Sequence, residues 1–278
     1  MALAETSEQP AAERASGSSF YNAMRILPRA QRDAMFEIYS FCRQVDDIAD
    51  SSGPRAERRA ALDRWRADID ALYAGRPVGR TRGMAQAVAA FGLKREDFHA
   101  IIDGMEMDVV ADVRAPDEAT LDRYCDRVAS AVGRLSVRVF GMNERDGIAL
   151  AHHLGRALQL TNILRDLDED AAFGRLYLPA AALHAAGIAA TDPAAVLASP
   201  TLGTACAQLV ERARTHFEEA NAVMARSPRR TVRAPRIMGE AYRLILDGLI
   251  ERGWSAPRAP IHLPRARLIW IIMRHAFI

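Results

Sequence analysis

An all-α, single-domain helical bundle around a central cavity is the fold class the sequence predicts, and three observations lead to it. The first is the stretch from Gln159 to Asp170. There Gln159, Asn162, Asp166 and Asp170 recur three or four residues apart and share one helix face, while Leu160, Ile163, Leu164 and Leu167 form a separate apolar stripe. The second is the same design upstream, with Tyr39, Arg43, Asp46 and Asp50 on one side and Ile38, Phe41, Val45 and Ile48 on the other. Two such helices facing each other would line a cavity with carboxylates. The third is the lack of any alternating strand pattern, long repeat or low-complexity tract.

Taken in order, residues 1–16 are rich in Ala, Glu and Ser and are expected to form a loose tail, with the folded domain spanning 17–278. Pro28 suits the first turn of a helix running to Asp50, and Ser51-Ser52-Gly53-Pro54 breaks it. Arg55 to Tyr73 resumes helical spacing, followed by a loop at 75–79, a short helix from Thr81 to Phe91 and another from Arg95 to about Val110. Thr120 to about Phe140 is helical. Its small residues Ala129, Ser130, Ala131 and Gly133 either admit a neighbouring helix or leave room for a ligand, and the sequence does not separate the two. Arg145 to Asp170 reads as one long helix, stopped by Gly174-Arg175-Leu176-Tyr177-Leu178-Pro179, a turn able to fold back over the cavity. Short helices are expected over 180–200, a long amphipathic one from Leu202 to Ala225, a basic linker from Ser227 to Pro235, a helix from Ile237 to Arg252 and a last short one after Pro264.

The 278 residues are half hydrophobic and about a quarter charged, as in an ordinary globular protein. Thirty-seven basic residues against 35 acidic leave a net charge of +2, which argues against a nucleic-acid partner. Lys94 is the one lysine, so arginine supplies nearly all the positive charge. Cys42, Cys125 and Cys206 are far apart and lack zinc spacing, which fits reduced thiols and a cytoplasmic location. The apolar run Leu268 to Met273 is too short for a bilayer, which needs about 20 residues, so any membrane contact is expected to be peripheral. The sequence is silent on oligomeric state.

Carboxylates four residues apart are common on solvated helix faces, where they carry no meaning. Converging in a cavity about 6 Å apart at an effective dielectric near 20, each like-charge pair would cost about 3 kcal/mol, so the faces would need cations. Oxygen ligands without His or Cys suit Mg²⁺, which shares its sphere with phosphates. Arg43, with Ser19 upstream, offers donors for such an anion, and the plain alternative for Arg43 is an ion pair with Asp46 or Asp47. Tyr124 shares a face with Val128, Ala131 and Leu135 and reads first as a core tyrosine. Asp103, Glu106 and Asp108 read first as a partly solvated face, with a cavity role as the alternative, and His152, on the ladder face about two turns before Gln159, has no assigned role. Glycine-rich nucleotide loops and a hydrolase nucleophile elbow are missing.

Ser19-Phe20, Tyr39 to Asp50, Tyr124 to Gly133, Gln159 to Asp170 and Gly174 to Pro179 together resemble the squalene and phytoene synthase family of head-to-head prenyltransferases, over nearly the whole chain. Ser18-Ser19-Phe20-Tyr21, Ala23 to Pro28 and Asp103 to Asp108 are most similar to the bacterial branch that makes presqualene diphosphate for hopanoids. The resemblance implies the isoprenoid synthase fold, with Asp46, Asp50, Asn162, Asp166 and Asp170 holding Mg²⁺ and the substrate diphosphates. It implies that Arg43 and Ser19 contact diphosphate and that Tyr124 helps steer cation and proton. Phe20, Tyr39, Gln159, Arg165 and Tyr177 fall on motif positions that contact substrate or shape the wall. Asp168 and Glu169 point off the ladder face and are expected to be solvent acids. The extra Glu after the first acidic motif and the membrane anchor of eukaryotic squalene synthases are missing. The implied activity is condensation of two farnesyl diphosphates to presqualene diphosphate, with NADPH not expected for this first half-reaction. Alternatives are phytoene synthesis from geranylgeranyl diphosphate, full squalene synthesis with NADPH, and a catalytically silent scaffold that binds prenyl lipids.

Overall fold

The computed structural model describes residues 24, 26–111 and 113–277, with backbone alone at 276 and 277. Ser19, Phe20 and the expected 1–16 tail lie outside the described residues. The chain is helical throughout, and its one departure among the described residues is an isolated parallel bridge between Arg114 and Leu176.

Helix α1 (Arg29–Asp50) starts directly after Pro28, which stands at its N-cap, and buries Ile38, Phe41, Val45 and Ala49. The apolar stripe read from the sequence is therefore its core face. Phe41 meets the rings of Trp65 and Phe98 edge-on, each at 5.2 Å, and so joins α1 to α2 (Arg55–Tyr73) and α4 (Arg95–Val110). A 3₁₀ turn at Gly79–Thr81 leads into α3 (Arg82–Phe91). These helices share one apolar core with Ala131, Leu135 and Val139 of α6 (Ala131–Val139).

A second core lies around α7 (Glu144–Arg165), α11 (Leu202–Arg226) and α12 (Arg229–Arg252). Helix α5 (Glu118–Cys125) buries Leu121, Tyr124 and Cys125 in this second core and is capped by Asp117 accepting from the Thr120 amide at 2.6 Å. It continues into α6 through a π-helical turn at Asp126–Ser130, and Val128 on that turn packs against both cores. Such turns rotate side chains out of the α register and are frequent at functional sites.

Close approach explains the small residues here. A Cβ on Gly155 of α7 would sit 2.8 Å from the Ser130 backbone, and one on Gly133 would sit 3.0 Å from Ala151. The same Ala129, Gly133 and Gly155 line a cavity, so the two roles left open by the sequence are both realised.

Three sequence expectations need correction. The helix through Arg145 to Asp170 is interrupted at Asp166 (φ −100°, ψ 18°), giving α7 and a separate α8 (Leu167–Ala172). The Asp166 amide still bonds the Asn162 carbonyl and the Asp170 amide the Asp166 carbonyl, both at 2.8 Å, so the acids keep a common side. The basic linker is largely helix, since α12 begins at Arg229 and carries Pro235 inside it at the loss of one backbone donor. Asp108 is buried, whereas Asp103 and Glu106 turn to Arg66.

After α8, Gly174 takes φ +75°, a backbone region that glycine enters without strain. The following strap is tied down by Leu176 donating to the Val113 carbonyl at 2.7 Å and Ala115 donating to that of Leu176 at 2.9 Å. Short helix α9 (Ala180–Ala185) packs on α11, α10 (Pro193–Leu197) packs on α8, and α13 (Arg265–Phe277) lies beside α12.

Candidate active site

The two acid ladders line one polar chamber of about 400 Å³. From α1 come Arg43, Asp46 and Asp50; from α7 and α8 come Gln159, Asn162, Arg165, Asp166 and Asp170. Tyr124 enters from α5 and Tyr177 from the strap. Cys42, Val128, Gln159 and Asn162 also line an adjoining chamber of about 240 Å³, whose other walls are mostly apolar and include Tyr39, Leu154, Met238 and Phe140. Tyr39 thus stands with the apolar chamber rather than with the three residues that follow it on its ladder.

Asp108, at the end of α4, organises the inner wall. Its Oδ1 accepts from the Tyr177 hydroxyl at 2.6 Å and its Oδ2 from the Tyr124 hydroxyl at 3.1 Å, while the two tyrosine rings stack 4.7 Å apart. Burial raises the Asp108 carboxyl above its ordinary range against the pull of these donors, and burial likewise pushes the Tyr124 hydroxyl well above its usual value. Both tyrosines are therefore neutral donors.

Three of the four ladder carboxylates, Asp46, Asp50 and Asp166, are bonded to an arginine of the same chamber. Arg43 donates to Asp46 at 3.0 Å and to Asp47 at 3.1 Å, the ion pairs expected of it from helical spacing. Arg165 grips Asp166 with two bonds of 2.7 Å, and Arg175 donates to Asp50 at 2.7 Å and to the Ala49 carbonyl at 3.0 Å. Burial lowers the affinity of Arg175 for its proton, but Asp108, Tyr177 and Asp50 outweigh it and hold the guanidinium charged.

Among the described residues the chamber still holds an excess of negative charge, with six acidic residues against three arginines. Burial, then the nearby Asp50, raises the Asp46 carboxyl to about 6; burial, then Asp166, raises that of Asp170 to about 8. Asn162 Oδ1 is buried with no hydrogen-bond partner among the described residues. An all-oxygen donor set, carboxyls that resist ionisation for want of positive charge and an orphaned carbonyl oxygen together fit a hard divalent cation.

Residues 13–267 match the model of the squalene/phytoene synthase family. The chain belongs to that family. It is 64% identical to a presqualene diphosphate synthase of Rhodopseudomonas palustris over 97% of this chain and 98% of that one. It is 35% identical to a phytoene synthase of Thermus thermophilus over 74% and 70%. A squalene synthase from Alicyclobacillus acidocaldarius superimposes with a TM-score of 0.78 at 27% identity, covering 90% of this chain and 94% of that one. A dehydrosqualene synthase solved with a ligand shares the fold, with a TM-score of 0.83 over 95% and 93% of the two chains at 24% identity.

The described squalene/phytoene synthase motifs therefore meet around two adjoining chambers, but sequence reasoning missed three residues of the polar one, Asp108, Arg175 and Glu169, and one of the apolar one, Tyr242. Asp108 carried a signal: it follows Ile101 and Met105 at i, i+4, i+7, a charge on an apolar helix face, and all three line the chamber. Arg175 stood inside a quoted motif without a role of its own. Glu169, expected in solvent, is exposed yet lines the chamber mouth, while Asp168 pairs with Arg258 through bonds of 2.8 and 2.6 Å. Tyr242, on α12, lines the apolar chamber and interacts with Arg165, a contact no local pattern announces.

Proposed function

We propose that the protein condenses two farnesyl diphosphates into presqualene diphosphate with release of diphosphate. One observation carries this reading: a chamber of two facing acid ladders opens directly into an apolar one, a shape matched to a molecule with a diphosphate head and a prenyl tail. The similarity to presqualene diphosphate synthases over nearly the full chain supports the farnesyl substrate over the geranylgeranyl one.

Asp46, Asp50, Asn162, Asp166 and Asp170 would hold Mg²⁺. When bound, the metal supplies positive charge that favours departure of a diphosphate. Arg43, Arg165 and Arg175, now on carboxylates, are placed to turn to phosphate oxygens once cations occupy those carboxylates. The C1–O bond of one substrate breaks with its electron pair leaving on the diphosphate, and an allylic cation remains. The double bond nearest the diphosphate of the second substrate attacks that C1, leaving a tertiary cation. Loss of a proton from the same C1 then supplies the electron pair that closes the cyclopropane.

The Tyr124 hydroxyl can relay that proton, taking it at oxygen while passing its own along the 3.1 Å bond to Asp108. Leu154, Met238 and Phe140 keep water from the cation. Among the described residues no helix is long and apolar enough to cross a membrane. Peripheral contact suits α13 instead, because it exposes Ile269, Trp270 and Met273 in a segment, 252–278, with five arginines and no Asp or Glu.

The test is to supply labelled farnesyl or geranylgeranyl diphosphate with Mg²⁺, with and without NADPH, and to identify the dephosphorylated products. Presqualene alcohol from farnesyl diphosphate without NADPH is expected. Phytoene, squalene formed only with NADPH, or no turnover would each replace this reading.

A further inference from the structure

Nearly three turns before Asn162 on α7, three histidines meet. His152 and His153 are consecutive on α7, and His216 comes from the middle of α11. One ring nitrogen of each lies within 4.8 Å of one from each of the others. His153 Nδ1 and His216 Nδ1 face each other at 3.1 Å, and the ring centroids of His152 lie 4.7 Å from His153 and 5.9 Å from His216. In the tautomers that make this contact a hydrogen bond, one Nδ1 carries a proton and donates to the other.

We propose that His152, His153 and His216 form a binding site for a borderline divalent transition metal of the zinc class, bridging α7 to α11 and separate from the magnesium chamber. A tetrahedral ion with bonds of about 2.0–2.1 Å holds its ligand nitrogens roughly 3.4 Å apart, so the His153–His216 pair already has nearly the required separation. His152 is exposed, and its ring can swing in to complete the set. Three imidazoles with no thiolate suit Zn²⁺, Cu²⁺ or Ni²⁺ and do not suit Mg²⁺, which prefers oxygen.

Two arginines lie near the cluster, and each is paired: Asp122 accepts from Arg156 at 2.7 and 3.0 Å and Asp126 at 3.3 Å, and Glu118 pairs with Arg212. Glu219 lies close enough to His153 to act on it electrostatically and follows His216 by three residues on α11, one helical turn away. Burial, then the two neighbouring histidines, lowers the His216 imidazole to about 4, which leaves it neutral and free to ligate at neutral pH. The site is also remote from the chemistry: ten residues of helix separate His152 from Asn162, about 15 Å at 1.5 Å per residue.

Zinc titration of the full-length protein by calorimetry, with melting followed in parallel, tests this. Wild type is expected to bind one Zn²⁺ equivalent that Asp46→Asn/Asp166→Asn retains and His153→Gln/His216→Gln loses. Zinc should raise the melting temperature of wild type and leave the histidine variant unmoved. Cobalt in place of zinc should give visible d–d absorption of an imidazole-bound ion, absent from the same variant. Should that variant fail to fold, His152→Gln, at an exposed position, is expected to weaken binding at least tenfold. Unchanged zinc stoichiometry on losing His153 and His216, or loss with the aspartate variant instead, overturns the proposal, as does unchanged affinity in His152→Gln. Magnesium-dependent turnover of the histidine variants should stay at the wild-type level.

Discussion

Asp46 and Asp170 are held above the ordinary carboxylate range by burial and by like-charged neighbours, so their ionisation opposes folding in the absence of cations. Because both folded-state values are raised, their stabilising contribution is intact below about 3.8. It is lost as the pH climbs through about 6 for Asp46 and about 8 for Asp170. The metal-free protein should therefore melt at falling temperature from pH 5 to 9, with Asp170→Asn flattening the upper part and Mg²⁺ opposing the fall. A flat profile in differential scanning calorimetry would contradict this. Asp46→Asn or Asp166→Asn should leave the circular dichroism spectrum intact and abolish Mg²⁺-dependent diphosphate release. Asn162 separates stability from function: replacing its orphaned carbonyl by the apolar Asn162→Leu should gain up to about 1–3 kcal/mol without metal. The same change should cost at least about a hundredfold in turnover, as judged by urea midpoints and steady-state assay. At this scale the ladders were legible because helical spacing displays them. Asp108 was obscured by the two solvated-looking acids beside it, and Arg175 and Tyr242 reach the site through tertiary contacts that spacing does not encode.

Helix α7 shows what the element scale adds. The sequence set its start at Arg145, one residue inside the observed helix capped by the Asn143 side chain, and its stop from Gly174 beyond α8. Its interruption at Asp166 was not readable, because the apolar stripe continues through Leu167 without a change of period. The π turn facing it is equally silent in sequence, since it reuses ordinary helix formers; what pins it is Arg156, buried and bonded to Asp122, Asp126 and Ser130 Oγ. Gly155 lets the two elements touch. Gly155→Val should drive the valine side chain into the Ser130 backbone and cost about 1–3 kcal/mol as overpacking. It should also reshape the apolar chamber, so the urea midpoint and the turnover number should fall together. Gly203, with open space around its Cβ position, is the matched control, and Gly203→Ala should not lower the midpoint.

For the whole molecule, the helical bundle and its cavity followed from composition and period, whereas the start of α12 at Arg229 did not, because the run of arginines and Pro235 resembles a solvated linker. The exposed face of α13 makes a prediction of its own. Trp270→Glu with Met273→Glu should reduce co-sedimentation with anionic lipid vesicles at least tenfold and leave turnover on detergent-dispersed substrate unchanged; equal sedimentation would remove α13 from any membrane role. The strap that follows Gly174 sets a different limit, on the order of assembly. Arg175 closes onto Asp50 across 125 residues of chain, and Leu176, itself buried in the second core, is pinned to Val113 and Ala115, whereas α1 meets α2 and α3 close by in sequence. Local contacts form quickly and distant ones wait on loop closure. The first acid ladder can thus pack against its neighbours in the chain before the strap closes on it, and the Arg175–Asp50 wall of the chamber forms late. A nascent chain emerging from the ribosome has its first acid ladder long before Arg175 has been made to close the chamber against it.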